Sequence, residues 1–567
     1  MAGVNEFIVD GVSGLSPSKA ATCIVAGICS SGQIGKPYLL GKDSDLTVLG
    51  VGPLVDRLKD LFATGGQSPS VIAVPVSGIP GGYTTPIQHT GSGPEATLTG
   101  APTKNVDCVI EIVTSGDRGT ATYRKSVYLG GTPIVDGGLD WGSAEVLAAN
   151  GQIPIGATGL ILTLPDGVVS GDKYEFSARL PIGMVYHEGG GPEIEVAGDV
   201  GASAYIVLRI LANGLPNEAT YMMSLDGGDT WGVEKTIPLS GSIPAGSTGV
   251  TINVSDTTPM QAGDKYEFEL YAPEPTVSGV MDVIDHALDL YDVEFVYICG
   301  PSSSVSWAAM GAKSDELWNK HRPTFFLAES RLPNAGEDLD EWVSAMISER
   351  QSYTHRFVLV NTAFGEVTST SGERQKRNYG GLLAGKILSI PVNTAIGKVA
   401  LGAISQASLP DNYSEAHQQQ LESAGLITAK RYAGLSGVYW GDDRTLADAT
   451  SDYQYLVVLR TTFKAIRIAR IAALKSVYSE AGDPVAEGGA SGIDSLKADI
   501  EVALEQMIKS IPSELAAALV DIPAGQDIVN NGVTVMLDLV GIPIIKSIRL
   551  YARYTYAGSS FDARLEE

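Results

Sequence analysis

MDVIDHALDLYDVEFVYICG, residues Met281 to Gly300, sets an amphipathic helix directly before a continuous apolar strand. The same pairing repeats downstream. WAAMGAKSDELWNKH (Trp307–His321) reads as a helix, TFFLAES (Thr324–Ser330) as a strand, EDLDEWVSAMISERQ (Glu337–Gln351) as a helix and RFVLVNTAF (Arg356–Phe364) as a strand. Far upstream lie an apolar strand TCIVAGICS (Thr22–Ser30), a helix-like run near Leu54 to Phe62, and a strand SVIAVPVSG (Ser70–Gly78). Strands that are apolar at every position are buried on both faces, so the alternation predicts a mostly parallel sheet covered by helices on each side.

Between these two flanks the chain repeats itself. IPIGATGLILTLPDGVVSGDKYEFSARLP from Ile153 corresponds to IPAGSTGVTINVSDTTPMQAGDKYEFELYAPEP from Ile243, with GDKYEF identical at Gly171–Phe176 and Gly263–Phe268. GGLDWG ending at Gly142 matches GGDTWG ending at Gly232, and PEATLTG from Pro94 matches PEIEVAG from Pro192. Such self-similarity fixes domain boundaries. Short alternating runs between glycine-rich turns, such as Val109–Val113 and Tyr205–Ile210, make each copy an all-β sandwich. Trp141 and Trp231 hold equivalent places, which a repeated core aromatic explains better than a sugar-binding surface.

The expected fold class is therefore a multidomain α+β chain: an α/β core domain, two inserted all-β sandwich-like domains from an internal duplication, and a C-terminal α+β domain. The boundaries are an N-terminal arm at 1–20, a discontinuous core at 21–92 and 275–385, β copies at 93–182 and 183–274, a C-terminal domain at 386–540 and a terminal strand or arm at 541–567. A length of 567 residues suits several domains.

The formal charge of −26 argues against direct nucleic-acid binding, which draws its affinity from lysine and arginine displacing counterions. The N-terminus MAGVNEFIVDG has neither a basic nor an apolar leader region, and no window is apolar enough for a membrane span, so a soluble chain without membrane insertion is expected. Cys23, Cys29, Cys108 and Cys299 lack CxxC spacing and read as buried thiols. The histidines His89, His187, His286, His321, His355 and His417 form no metal-binding grouping. No GxGxxG, GxxxxGK[ST] or GxSxG motif occurs in its required context. No catalytic residue, metal or cofactor is expected.

GVYWGDDRTLADATSDYQYL (Gly437–Leu456) gathers aspartates beside aromatics, but their spacing misses the register of a calcium loop. Asp442, Asp443 and Arg444 read as a tight, ion-paired turn. Asp448 to Asp452 precede a long helix, Asp452–Ser479, with Thr450 or Ser451 placed to cap it. Along that helix Arg460, Lys464, Arg467, Arg470 and Lys475 occur with no acidic residue between Asp452 and Glu480, a local reversal of charge. Arg460, Lys464 and Arg467 make one basic stripe by spacing, opposite a buried face of Leu456, Leu459, Phe463, Ile466, Leu474 and Val477. A further helix is expected near Ser495–Ser510, then strands VTVMLDL and IKSIRLYARYTY. The last alternates Ile548, Leu550, Ala552, Tyr554 and Tyr556 against Arg549, Tyr551 and Arg553, and must pair in its own chain or a neighbour's.

GLITAKRYAGLSGVYWGDDRTLADATSDYQYLVVLRTTFKAIRIARI (Gly425–Ile471) resembles the C-terminal region of contractile tail sheath proteins of phages and related injection machines. The shared features are an aromatic-ended strand at Tyr439, the turn Asp442–Thr445, Tyr453 or Tyr455, and the helix bearing Arg460. The likeness does not cover the duplicated β pair. It implies a non-enzymatic subunit that stacks in hexameric rings around a tail tube protein, between baseplate and tail terminator proteins, and contracts. It implies tube contact for Arg460, Lys464 and Arg467, with Arg470 and Lys475 following. It also implies inter-subunit strand exchange through Phe7, Ile8 and Val9 and through Ile544, Ile548, Leu550, Ala552 and Tyr554. The alternatives are a carbohydrate-binding surface protein using Trp141 and Trp231, and a nucleotide-dependent enzyme on the α/β sheet.

Overall fold

Strand Thr22–Gly27 is buried at every position, and it pairs in parallel with Ser70–Pro75 on one side and Phe295–Ser302 on the other. The computed structural model describes residues 22–67, 69–129, 140–334, 337–369, 372–482 and 491–557. Phe325–Ser330 and Val358–Asn361 extend the parallel sheet, and Tyr38–Leu40 adds an antiparallel edge, giving six strands drawn from both flanks of the duplication. Alternate side chains of each strand enter opposite cores. Cys23, Val25, Phe295, Tyr297 and Cys299 face one cluster, while Ile24, Ala26, Val296 and Ile298 face the other. Burying side chains of this size contributes about 1.5–3 kcal/mol each.

Helices α1 (Pro53–Thr64), α5 (Gly380–Ser389) and α7 (Leu456–Leu474) supply the first cluster; α2 (Val277–Leu290), α3 (Ser304–Asn319) and α4 (Leu339–Gln351) supply the second. α1 and α5 approach closely because α5 opens on small residues: a Cβ at Gly381 would lie 2.6 Å from the Arg57 carbonyl, and one at Gly385 2.4 Å from that of Leu61. α6 (Glu415–Ser423) follows, with His417 bonded to Asp340 of α4 at 2.9 Å.

The first β copy has a six-stranded sheet and the second a five-stranded one, each facing a three-stranded sheet, and Tyr174, Phe176 and Ile110 in the first core correspond to Tyr266, Phe268 and Leu208 in the second. The first copy starts earlier than its sequence boundary, because Tyr83–Thr84 and Gln88–Thr90 pair with Lys173–Arg179. Gly78–Ile79 and Glu274–Pro275 pair antiparallel as a stem where the chain leaves and rejoins the core.

The chain divides into two compact units, 1–471 and 472–567, so the segment 386–540, assigned to one domain from its change of pattern, is split between them. The reason lies in burial: Leu456, Leu459 and Phe463 belong to the core of the first unit. In the second unit α8 (Ser491–Ile508) buries Ile500, Leu504 and Met507. Beside it lies a hairpin whose register runs from Ala517↔Val540 to Asp521↔Met536.

Candidate functional site

α7 begins at Leu456, four residues later than its sequence pattern suggests, because Asp443 decides where it starts. The Asp443 side chain, 2% exposed, accepts from the Val457 amide at 3.0 Å, and its carbonyl accepts from that of Leu456 at 2.8 Å. A carboxylate held there satisfies an otherwise orphaned amide and favours the helix dipole. Thr450 does not cap α7; its amide and hydroxyl both donate to Asp448 in a separate turn, at 2.9 and 2.7 Å. That engagement holds the exposed Asp448 carboxyl below its ordinary value. Arg444 lies 5.1 Å over the Tyr455 ring.

The basic stripe of α7 is divided between the interior and the surface. Arg460 is 2% exposed and makes a two-pronged pair with Glu294, Nε to Oε1 at 2.5 Å and Nη2 to Oε2 at 3.3 Å. Its Nη1 also reaches the carbonyls of Ile390 and Pro391 at 3.3 and 3.4 Å. Arg467 donates to the Val293 carbonyl at 2.6 Å, to Asp292 at 3.3 Å and to the Pro323 carbonyl. Both guanidiniums therefore lock α7 to the ends of core strands. Lys464 is half-buried; Arg470 and Lys475 are exposed. The apolar face ends early as well, since Leu474 and Val477 are exposed while Phe463 is buried. Sequence reasoning missed Glu294 as the partner, although it is the one charge in the Val293–Gly300 run.

The carboxyl ends of parallel strands commonly hold ligands in open α/β sheets. Here that position is filled from within. Arg57 binds Glu329 through Nε at 2.6 Å and Nη2 at 2.9 Å, Tyr297 donates to the same carboxylate, and Arg377 pairs with Asp60 at 2.5 and 2.9 Å. No helix among the described residues is long and apolar enough to cross a membrane.

Trp141 and Trp231 are half-buried, each beneath an arginine: Arg124 at 4.4 Å and Arg209 at 4.8 Å. They are not the core aromatics expected from their repetition. The stacked arginine comes from strand Thr122–Tyr128 in the first copy and from Ala204–Ala212 in the second, so the pairing persists although its cation changes strand.

The second unit carries an exposed apolar stretch. Residues 541–557 form neither helix nor strand, although IKSIRLYARYTY has a clean strand pattern. Ile545, Ile548, Leu550, Tyr551, Tyr554 and Tyr556 are 80%, 75%, 90%, 89%, 82% and 74% exposed. Ile544 is also exposed, as is Ala552. The hairpin strand Met536–Val540, immediately before this stretch, pairs only with Ala517–Asp521 among the described residues. Phe7, Ile8 and Val9 lie outside the described residues.

A family model described as DUF2586, N-terminal domain, matches residues 1–444, and one described as DUF2586, C-terminal domain, matches residues 452–559. No curated protein matches the chain. Among solved structures, the sheath tail protein from Desulfitobacterium hafniense is similar at 10% identity, covering 95% of this chain and 100% of that one with a TM-score of 0.41. The sheath tail protein Lin1278 from Listeria innocua is similar at 8% identity, covering 92% and 95% with a TM-score of 0.41. The sheath complex of an extracellular contractile injection system, PVC, in its contracted state is similar at 15% identity, covering 50% and 76% with a TM-score of 0.38.

Proposed function

We propose, from the premise that this chain belongs to the DUF2586 family, that it is a structural subunit of a contractile tail sheath in a virion tail. It polymerises as stacked hexameric rings around a tail tube protein, with baseplate and tail terminator proteins at the ends, and does mechanical work without turning over a substrate. The sequence resemblance at Gly425–Ile471 supports this reading.

The observation that carries it is the exposed apolar arm, 541–557, beside a two-stranded sheet. Six large side chains in water represent on the order of 10 kcal/mol of burial not yet made. A contiguous apolar surface of this kind marks an interaction site. An alternating strand next to an incomplete sheet is suited to strand addition, where backbone bonds give affinity and alternate side chains give register. In this reading Ile544, Ile548, Leu550, Ala552 and Tyr554 join a neighbouring subunit's sheet, and Phe7, Ile8 and Val9 make the second exchange. Arg470 and Lys475, exposed on and just after α7, remain candidates for meeting an acidic tube; Arg460 and Arg467 serve the fold.

Deleting residues 542–567 tests the reading. The shortened chain keeps its cooperative unfolding and stays dispersed at concentrations where the full chain forms tubes; tubes from the shortened chain would refute it.

A further inference from the structure

HTGSGPE (His89–Glu95) and HEGGGPE (His187–Glu193) hold the same place in the two β copies, and each goes with an identical GDKYEF downstream. Each histidine lies on a three-residue strand, Gln88–Thr90 or Tyr186–Glu188, directly across from a tyrosine, Tyr174 or Tyr266. The paired rings stack, with centroids 4.5 Å apart and planes 8° from parallel in the first copy, and 4.3 Å and 12° in the second. The tyrosine hydroxyls donate to the carbonyls of Pro94 and Pro192 at 2.7 and 2.6 Å, which ties each loop to the sheet.

Both nitrogens of each imidazole face carboxylates. Nδ1 of His89 is 3.2 Å from Glu95 and its Nε2 is 3.9 Å from Asp172; for His187 the distances are 3.5 Å to Glu193 and 3.9 Å to Asp264. The glutamates are exposed, whereas both aspartates are buried and fixed by backbone amides. Asp172 accepts from Ser92 and Val169 at 3.0 and 3.2 Å, and Asp264 from Gly190, Gly191 and Gln261 at 3.1, 3.3 and 3.2 Å. A Cβ at Gly93 or Gly191 would lie 1.9 Å from those carboxylates, so only glycine lets the loop close over them. Both Nε2 atoms are buried without a hydrogen-bond partner. A neutral imidazole that donates from Nδ1 to the glutamate turns a bare Nε2 lone pair toward a carboxylate that can only accept. The same mismatch stands in both copies, although Thr90 and Ser92 of the first loop are Glu188 and Gly190 in the second.

We propose that each histidine is an acid-closed clip: with a proton on Nε2 it joins the buried aspartate to the loop glutamate and fastens the short strand that carries it. A charged imidazole replaces the mismatch with charge-assisted contacts on both nitrogens, and the tyrosine face beneath it attracts a cation. Histidine is the side chain whose charge ordinarily changes between about pH 5 and pH 8. Uptake of the proton favours the folded loop, so the clip is closed at the acid end of that range and lost as pH rises. The tyrosines do not compete for the proton. Burial, then Asp172 and Glu95, push the Tyr174 hydroxyl up to about 12, and burial, then Asp264 and Glu193, raise that of Tyr266. Tyr128, which also faces Glu193, is raised by burial, then by Asp107 and Glu193.

Hydrogen exchange of the full chain, followed by mass spectrometry, tests the clip in wild type, His89→Phe and His187→Phe. Phenylalanine keeps the stack on tyrosine and removes both nitrogens. Each variant is compared with wild type at the same pH, so the intrinsic chemistry of exchange cancels. At about pH 5.5 the loop 88–95 exchanges about tenfold faster in His89→Phe than in wild type, and at about pH 8 the ratio falls to about one. His187→Phe does the same to 186–193, and in each variant the loop of the other copy is unchanged. Glu95→Gln, an exposed change that leaves the fold undisturbed, moves the loop 88–95 in the same direction by a smaller factor. A ratio equal at both pH values would reduce the histidines to core packing and overturn the proposal. If His89→Phe does not fold, Glu95→Gln decides alone: no acid-dependent change in its loop would overturn the clip.

Discussion

Arg460 on α7 and Glu294 at the start of a central strand form a buried ion pair across 166 residues of sequence. The pair ties the helix that follows the Asp442–Thr445 turn to the sheet of the α/β core. Removing one member strands the other charge in a dry site, which costs about 3–5 kcal/mol. Arg460→Ala therefore lowers the unfolding free energy of the first unit by about that amount in urea titration. A loss below about 1 kcal/mol would place Arg460 among ordinary surface charges.

Asp443 starts α7 from a distance, through its hydrogen bond to the Val457 amide. Asp443→Ala costs about 1 kcal/mol or somewhat more, as loss of a cap does. Asp443→Asn, which keeps the acceptor, costs less. Hydrogen exchange at Val457 reads the cap directly; unchanged protection in the alanine variant would contradict it.

Acid strengthens the contacts around the second β copy. Glu366 is pushed up to about 7, first by burial and then by its bond to Asp229, and Glu274 in the stem is pushed up to about 7 by burial. Both folded values exceed the unfolded carboxyl value, so the folded state binds more protons between about pH 4.5 and pH 7. Their contribution is fully present below that window and is lost as pH rises through about 7. Thermal melts of the full chain show this fall, and Glu366→Gln with Glu274→Gln flattens it. A slope unchanged in the double variant would exclude these two groups as its source.

The stacked arginines make Trp141 and Trp231 reporters of their domains. Arg209→Ala uncovers one face of Trp231, giving a local change in tryptophan fluorescence and a stability loss of about 0.5–1 kcal/mol. An unchanged spectrum would mean that the stack does not persist in solution.

The core strands were legible because burial on both faces leaves an uninterrupted apolar run, as in Thr22–Gly27 and Phe325–Ser330. The inward face of α7 was legible at Leu456, Leu459 and Phe463 for the same reason. Spacing alone did not reveal that Arg460 and Arg467 turn inward, since their acceptors are supplied by Glu294, Val293 and Pro323, far off in the chain. Yet Glu294 in an apolar run was a visible sign that a cation had to meet it. The cap of α7 was hidden because Asp443 stands 14 residues before the amide it satisfies. For the arm at 541–557 the pattern of a strand was plain, while among the described residues the segment forms no strand.

Electron microscopy of the purified full chain at rising concentration tests the central claim most directly. The account predicts hollow, transversely striated cylinders, absent from the chain shortened at residue 541. Discrete particles at every concentration, or identical cylinders from both chains, would contradict it.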